Sequence, residues 1–342
     1  MPETPADPPG LDLARLRSHL ERGLPGAVRG PLRADLIEGG RSNLTYLLSD
    51  GVSRWVLRRP PLGHVLATAH DMGREYRVMS ALRGTGVPVP RMLLIDHGED
   101  VLGAPWYLME YVAGTAHRDA DALAVIGEER VGTLGRQLVD TLADLHRIDP
   151  AQVGLADFGH PEGYLERQLR RWSKQLAASR SRELPELERL HAVLAERLPV
   201  SPAPALVHGD YRLDNVLVDE KDGITAVLDW EMSTLGDPLT DVGLLVMYTE
   251  LAGVGGGIIP SAMTAPGFPR PDEIVSRYAG ATGREAADLE WYVAFASFKL
   301  AAVAEGIYFR FQQGRTLGAG FERAGEMAPI LARHGLSTLK EN

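Results

Sequence analysis

Between His208 and Asn215 the chain reads HGDYRLDN, which sets a carboxylate at Asp210, a guanidinium at Arg212 and a carboxamide at Asn215 within one short stretch. Beyond it, the apolar run ITAVLD ends in a second carboxylate, Asp229. Phosphoryl transfer asks little covalent work of a protein. One carboxylate must take the proton of the attacking hydroxyl, and a few oxygen ligands must fix magnesium on the phosphates. Asp210 is the candidate base, Asn215 and Asp229 are the candidate metal ligands, and Arg212 is placed to neutralise the transferred group.

The Asp-x-x-x-x-Asn spacing is that of a kinase catalytic loop, with His in its expected place and Gly where Arg is usual. Trp230 and Glu231 follow Asp229 where a protein kinase has Phe and Gly, so no activation-loop switch is inferred. The bland reading is a chance match, in which His-Gly-Asp is a turn capped by its own side chains. The ordered set of loop, strand and second Asp favours the chemical reading. Asp237 and Asp241, in LGDPLTDVG, are read as caps that brace the loop after Asp229 and the helix beyond it, and His146 as a hydrogen-bonded core residue.

Upstream segments supply what a nucleotide needs. In EGGRSNLTYLL, Gly39 and Gly40 free the backbone to approach phosphates, and Ser42 and Asn43 can donate to them; the alternative is a plain β-turn. In WVLRR a strand puts Val56 and Arg58 on one face and Arg59 on the other, so Arg58 is the candidate phosphate cation and Glu75, on the next helix, its partner. The alternative is a solvated surface pair. YLMEYVAG suits a hinge whose main chain at Glu110 and Val112 pairs with adenine, against a plain edge strand.

These residues must be positioned by two kinds of structure. Leu13, Leu16 and Leu20 recur at helical spacing after an acidic, Pro-rich start expected to be a frayed tail. Two strand-like runs between Ala34 and Arg59 flank Asp50-Gly51, a strong hairpin signal. A helix is expected over 71–84, then strands around MLLIDHG and PWYLMEYV. Past Gly114 the pattern turns helical. Leu134, Leu138, Leu142 and Leu145 share a face, 164–177 and 182–198 read as amphipathic helices, and the chain returns to helix from Pro271 to Leu339. The Gly-rich stretch from Gly253 to Phe268 reads equally as a substrate-side loop or a linker. The division expected is 1–30 tail and helix, 31–112 β-rich nucleotide lobe and hinge, and 113–342 helical lobe carrying the catalytic and metal-binding loops.

Bulk composition narrows the partners. With 36 basic against 46 acidic residues the formal charge is −10, which disfavours nucleic acid and anionic membranes. No cysteine is present, which excludes thiolate metal sites and disulfides and fits a reducing, cytoplasmic setting. No membrane span is expected, and nothing sets an oligomeric state.

LVHGDYRLDNVLVD followed by AVLDWEMSTLGDPLTDVG resembles the aminoglycoside phosphotransferase and choline kinase-like family. The likeness extends to EGGRSNLTYLL, WVLRRPP, REYRVMSAL, GYLERQLRRWSKQL and the later GFPRPDEIVSRYAGATGR and WYVAFASFKLAAVAEGIYFR, and these last segments resemble a branch associated with acyl-CoA dehydrogenases. What the resemblance implies is an α+β, bilobal protein-kinase-like fold with a small antiparallel-sheet lobe and a larger, mainly helical one. It further implies ATP bound between the lobes and transfer of its γ-phosphate to a small-molecule hydroxyl. Asp210, Asn215 and Asp229 match the family's base and metal ligands, and Arg58 falls where most members have Lys. The branch suggests a hydroxyacyl-CoA-like acceptor. Two other readings stand beside this one: a catalytically silent nucleotide-binding regulatory module, and a metal-dependent phosphoesterase, which would need a denser cluster of metal ligands.

Overall fold

Alternating apolar side chains from Leu44 to Arg59 dictate strands with one face in a core and the other turned elsewhere. A computed structural model describes residues 7–37, 43–62, 71–98, 100–179, 181–254, 259–314 and 323–339. The chain divides into two units, Met1–Ala113 with Thr225–Glu231, and Gly114–Ile224 with Met232–Asn342.

The first unit is built on α1 (Leu13–Gly23), β1 (Arg33–Leu36), β2 (Leu44–Ser49), β3 (Arg54–Arg59), α2 (Met72–Leu82), β4 (Met92–Asp96) and β5 (Trp106–Glu110). The strands form one antiparallel sheet in the order β1-β2-β3-β5-β4. Tyr46 opposes Leu57, Leu48 opposes Trp55, and Leu57 opposes Leu108, so one face presents a continuous apolar surface. Leu16 and Leu20 of α1 join that core. At the β2–β3 turn Asp50 accepts the N–H groups of Ser53 and Arg29, at 2.6 and 2.7 Å, which pull its pKa down to about 2. Residues 7–12, before α1, are tied down, contrary to the frayed tail expected there, and residues 1–6 lie outside the described residues. Leu13 N–H donates to Asp7, and the Tyr46 hydroxyl to Pro9 O.

Period two decides between the adjacent arginines. Arg59, on the α1 side of the sheet, donates to the carbonyls of Gly10 and Leu102. Arg58 lies on the opposite face, with Glu75 of α2, whose N-cap Asp71 accepts Arg74 N–H.

The second unit holds α3 (Ala120–Ala124), α4 (Glu128–Arg147), α5 (Tyr164–Ala178), α6 (Pro185–Glu196), β6 (Ala205–Val207) and β7 (Val216–Val218). β8 (Ile224–Val227) carries the chain back to the first unit, where Val227 N–H donates to Pro88 O. Then come β9 (Thr234–Gly236), α7 (Leu239–Glu250), α8 (Pro271–Thr282), α9 (Leu289–Gln312) and α10 (Ala324–Thr338). Leu134, Leu138, Leu142 and Leu145 are buried along one face of α4, as their spacing requires. The α9 helix is apolar on nearly every side and packs against α5, α7 and α10, with 67% of its most apolar window buried, as in the core helix of a domain. In the stretch after α7, Ile259, Ala262, Met263 and Ala265 are buried and Ser261 binds Arg118 O and Ala120 N–H, so 259–265 is a packed connection; 255–258 lie outside the described residues.

Candidate active site

Strand β6 delivers the chain to His208, and antiparallel pairing of Val207 with Thr234 of β9 fixes where it stops. Gly209 then turns with φ of +86°. A Cβ there would sit 2.8 Å from the Cβ and carbonyl oxygen of Met232, so both conformation and space demand glycine. From the first turn of α7, fully buried Asp241 accepts His208 N–H at 2.6 Å and Gly209 N–H at 2.8 Å. Burial opposes its ionisation, but the His146 ring and its hydrogen bond, with His208, outweigh this and hold its pKa below the ordinary carboxylate value. His146 is itself held by the Tyr278 hydroxyl at 2.8 Å. Asp241 therefore braces the turn before Asp210, not the loop after Asp229 as the sequence reading had it. Asp237 caps α7 through Leu239 N–H and accepts the Tyr292 hydroxyl.

The result is a fixed perch for Asp210. Its Oδ1 accepts the Tyr248 hydroxyl at 3.2 Å; its Oδ2 accepts Asn215 Nδ2 at 3.1 Å and lies 3.5 Å from Arg212 Nε. Asn215 also donates to Asp210 O at 2.8 Å, so its amide nitrogen faces the carboxylate and its carbonyl oxygen is the atom left for a ligand. Desolvation raises the Asp210 pKa, but Arg212, Lys299 and His208 together bring it below the ordinary value, so the carboxylate is ionised at neutral pH. Lys299, from α9, donates to Gly209 O and lies 5.5 Å from the Trp172 ring centre. Arg212 also reaches Asp214 at 3.2 Å and lies over the Tyr248 ring. A cavity of about 20 Å³ beside Gly209, bordered by Trp172, Met232, Asp241 and Lys299, has room for one water-sized group and no larger ligand.

The first unit assembles a different set. Arg58, from β3, donates to Asp229 Oδ1 at 2.6 Å, lies 3.5 Å from Glu75 Oε2, and lies 4.0 Å from Glu231. Asp229 adopts φ of +65°, a left-handed conformation unusual for a non-glycine residue and often found at functional positions. Glu75 is fully buried and accepts the Tyr107 hydroxyl at 3.0 Å. Burial, assisted by Asp229 and opposed by Arg58, pushes its pKa up to about 7. Asn43, read from sequence as a phosphate donor, donates to fully buried Glu75 at 3.3 Å and to part-buried Glu231 at 3.2 Å. Gly40 and Ser42 lie outside the described residues. Glu110 ends β5 with its N–H on Arg91 O and its carboxylate on Arg91 N–H, and Val112 lies in the extended link that follows.

Asp210, Arg212 and Asn215 thus form one group, and Arg58, Glu75, Asp229 and Asn43 another. Sequence reasoning missed Tyr248, Lys299 and Tyr107. A signal existed for Lys299, the lone cation in the long uncharged run from Trp291 to Ala304. Among the described residues no group of three or more His, Cys, Asp or Glu side chains could enclose a metal.

A five-stranded antiparallel sheet unit followed by a mainly helical unit, with this loop between short strands, defines a phosphotransferase of the protein-kinase-like α+β fold. The phosphotransferase enzyme family model matches residues 33–289, and the chain belongs to that family. A putative aminoglycoside phosphotransferase from Ralstonia eutropha superposes with a TM-score of 0.82 at 33% identity, covering 96% of this chain and 98% of that one. A spectinomycin phosphotransferase in complex with ADP and spectinomycin shares the fold, with a TM-score of 0.62 at 14% identity over 96% of this chain and 99% of its own. Acyl-CoA dehydrogenase family member 11 of Rattus norvegicus is 35% identical over 347 residues, which cover 96% of this chain and 44% of that protein. The chain therefore spans less than half the length of this relative.

Proposed function

We propose that the chain is a small-molecule kinase that transfers the γ-phosphate of ATP to a substrate hydroxyl. The observation that carries this reading is Asp210: an ionised carboxylate on a braced turn, with Asn215 fixed to it and Arg212 beside it. In the reaction the acceptor oxygen forms a bond to the γ-phosphorus, the bond to the bridging oxygen of ADP breaks, and the acceptor proton passes to Asp210. Arg212 offsets charge on the transferred group. Asn215, through its amide oxygen, and Asp229, through its carboxylate, would hold Mg²⁺, which when bound neutralises phosphate charge. Arg58 would contact the phosphates, and the Glu110–Val112 link the adenine. The ADP held by a phosphotransferase of the same fold supports a nucleotide here. The relation to an acyl-CoA dehydrogenase family member supports a hydroxyacyl-CoA-like acceptor.

One observation favours a second reading, a silent nucleotide-binding module. Arg58 donates to Asp229 Oδ1 at 2.6 Å, so Arg58 already neutralises the carboxylate that would bind the metal. Turnover separates the two. Incubation with labelled ATP and a cell metabolite extract should yield a labelled product, identified by mass spectrometry. Asp210→Ala should abolish it by about two to four orders of magnitude while ATP binding persists. Wild-type ATP binding with no transfer to any hydroxyl would establish the silent module.

A further inference from the structure

The two oxygens of Asp210 are not equivalent. Oδ2 takes Asn215 at 3.1 Å, with Arg212 close by, whereas among the described residues Oδ1 takes a single donor, the Tyr248 hydroxyl, at 3.2 Å. That distance is long beside the roughly 2.7–2.8 Å usual for a hydroxyl donor, so the bond is one that a better-placed hydroxyl can displace. Tyr248 and Asp241 lie seven residues apart, two turns along one face of α7. One helix thus holds the main chain of the loop through Asp241 and its carboxylate through Tyr248. The Tyr248 ring is buried and lies 5.1 Å from the Arg212 guanidinium. Burial and the neighbouring Asp210 carboxylate push its pKa up, so the phenol stays protonated and acts as a donor.

We propose that Tyr248 is a positioning residue of the transfer site: its hydroxyl holds the Oδ1 lone pair until an acceptor hydroxyl replaces it, and so restrains transfer of the phosphoryl group to water. The inference rests on Asp210 being the base. Without an acceptor, a water at Oδ1 would form the new bond to the γ-phosphorus as the bond to the ADP oxygen breaks. Its proton would pass to Asp210 and then to solvent, leaving ADP and inorganic phosphate. While the phenol occupies Oδ1, that water must compete with it for a lone pair, and Oδ2 is already shared by Asn215 and Arg212. An acceptor molecule bound by its remaining surface can displace the phenol, whereas a single water brings no such binding energy.

The test needs no knowledge of the acceptor. The full chain is given Mg²⁺ and ATP alone, and ADP release is followed in a coupled assay. Tyr248→Phe should raise hydrolysis about three- to tenfold, the effect of removing one hydrogen bond of ordinary strength, as its 3.2 Å length suggests. Tyr248→Leu should act in the same direction and serves if the phenylalanine variant packs poorly; melting temperatures report folding for both. Global unfolding would lower the rate, so a gain in a variant that melts as the wild type does reports the site, and adding Asp210→Asn should erase it. Unchanged or slower hydrolysis in the folded variants overturns the proposal. Calorimetry and the basal rate of the wild type keep the two claims apart: no binding of Mg-ATP, or binding with no ADP release that depends on Asp210, defeats the kinase reading itself, whereas Asp210-dependent release without any gain from Tyr248→Phe defeats only the role of Tyr248.

Discussion

Glu75 offers a measurement that depends on no substrate. Its side chain is fully buried between Arg58, Tyr107 and Asn43, and its pKa rises from an ordinary 4.5 to about 7. A group whose folded pKa is raised stabilises the fold fully below the unfolded value and loses that contribution as pH climbs through the folded one. The difference of about 2.5 units, at about 1.4 kcal/mol per unit, amounts to about 3 kcal/mol, and about 2.5 kcal/mol of it falls between about pH 5 and about pH 8. Glu75→Gln keeps the shape and the hydrogen-bonding capacity but cannot ionise. Urea unfolding of both proteins at several pH values gives the difference between them, from which all other titrating groups cancel. The wild type should lose ground to the variant by about 2.5 kcal/mol across that window. Parallel stability curves would show that Glu75 ionises as easily folded as unfolded, and the electrostatic account of this cluster would fail.

Two further perturbations probe the loop that carries Asp210. Gly209→Ala meets a positive φ and a 2.8 Å approach to Met232, so it should destabilise by about 1–3 kcal/mol in denaturant melts and lower turnover, because the displaced turn carries Asp210 with it. Asp241→Ala strips acceptors from two N–H groups and from buried His146. A loss of about 3–5 kcal/mol is expected from thermal or urea unfolding, and a loss below about 1 kcal/mol would show that the loop holds itself.

What could be read in the sequence was whatever depends on local periodicity. That Arg58 and Arg59 face opposite sides of the sheet follows from a period of two, and their partners, Glu75 for one and Leu102 O for the other, lie accordingly. The leucine face of α4 follows from helical spacing. Asp210 and Asn215 lie five residues apart, so their contact is a property of one turn. Tyr248 and Lys299 were illegible for the opposite reason: they reach the same loop from 38 and 90 residues away, and only tertiary packing brings them there. Asn43 shows how a local reading errs. Beside a glycine pair it looks like a phosphate donor, yet its hydrogens go to carboxylates 32 and 188 residues distant, of which Glu75 is fully buried and needs a donor.

Charge distribution separates the two groups of residues by the work each can do. Around Arg58 stand Glu75, Asp229 and Glu231, three carboxylates on one guanidinium. If all were ionised, these four side chains alone would carry a net −2; the rise in the Glu75 pKa comes first from burial, with Asp229 adding to it and Arg58 opposing it. Tyr107 and Asn43 supply neutral donors but no positive charge. Around Asp210 the balance is reversed: Arg212 and Lys299 face it, and its pKa falls. An anion-rich cluster favours a divalent cation, whereas a carboxylate flanked by cations stays ionised and can receive a proton. The two environments accord with the roles proposed above: cations beside Asp210 hold it ionised, as a base must be, and the carboxylates around Arg58 leave an anion-rich group suited to a cation.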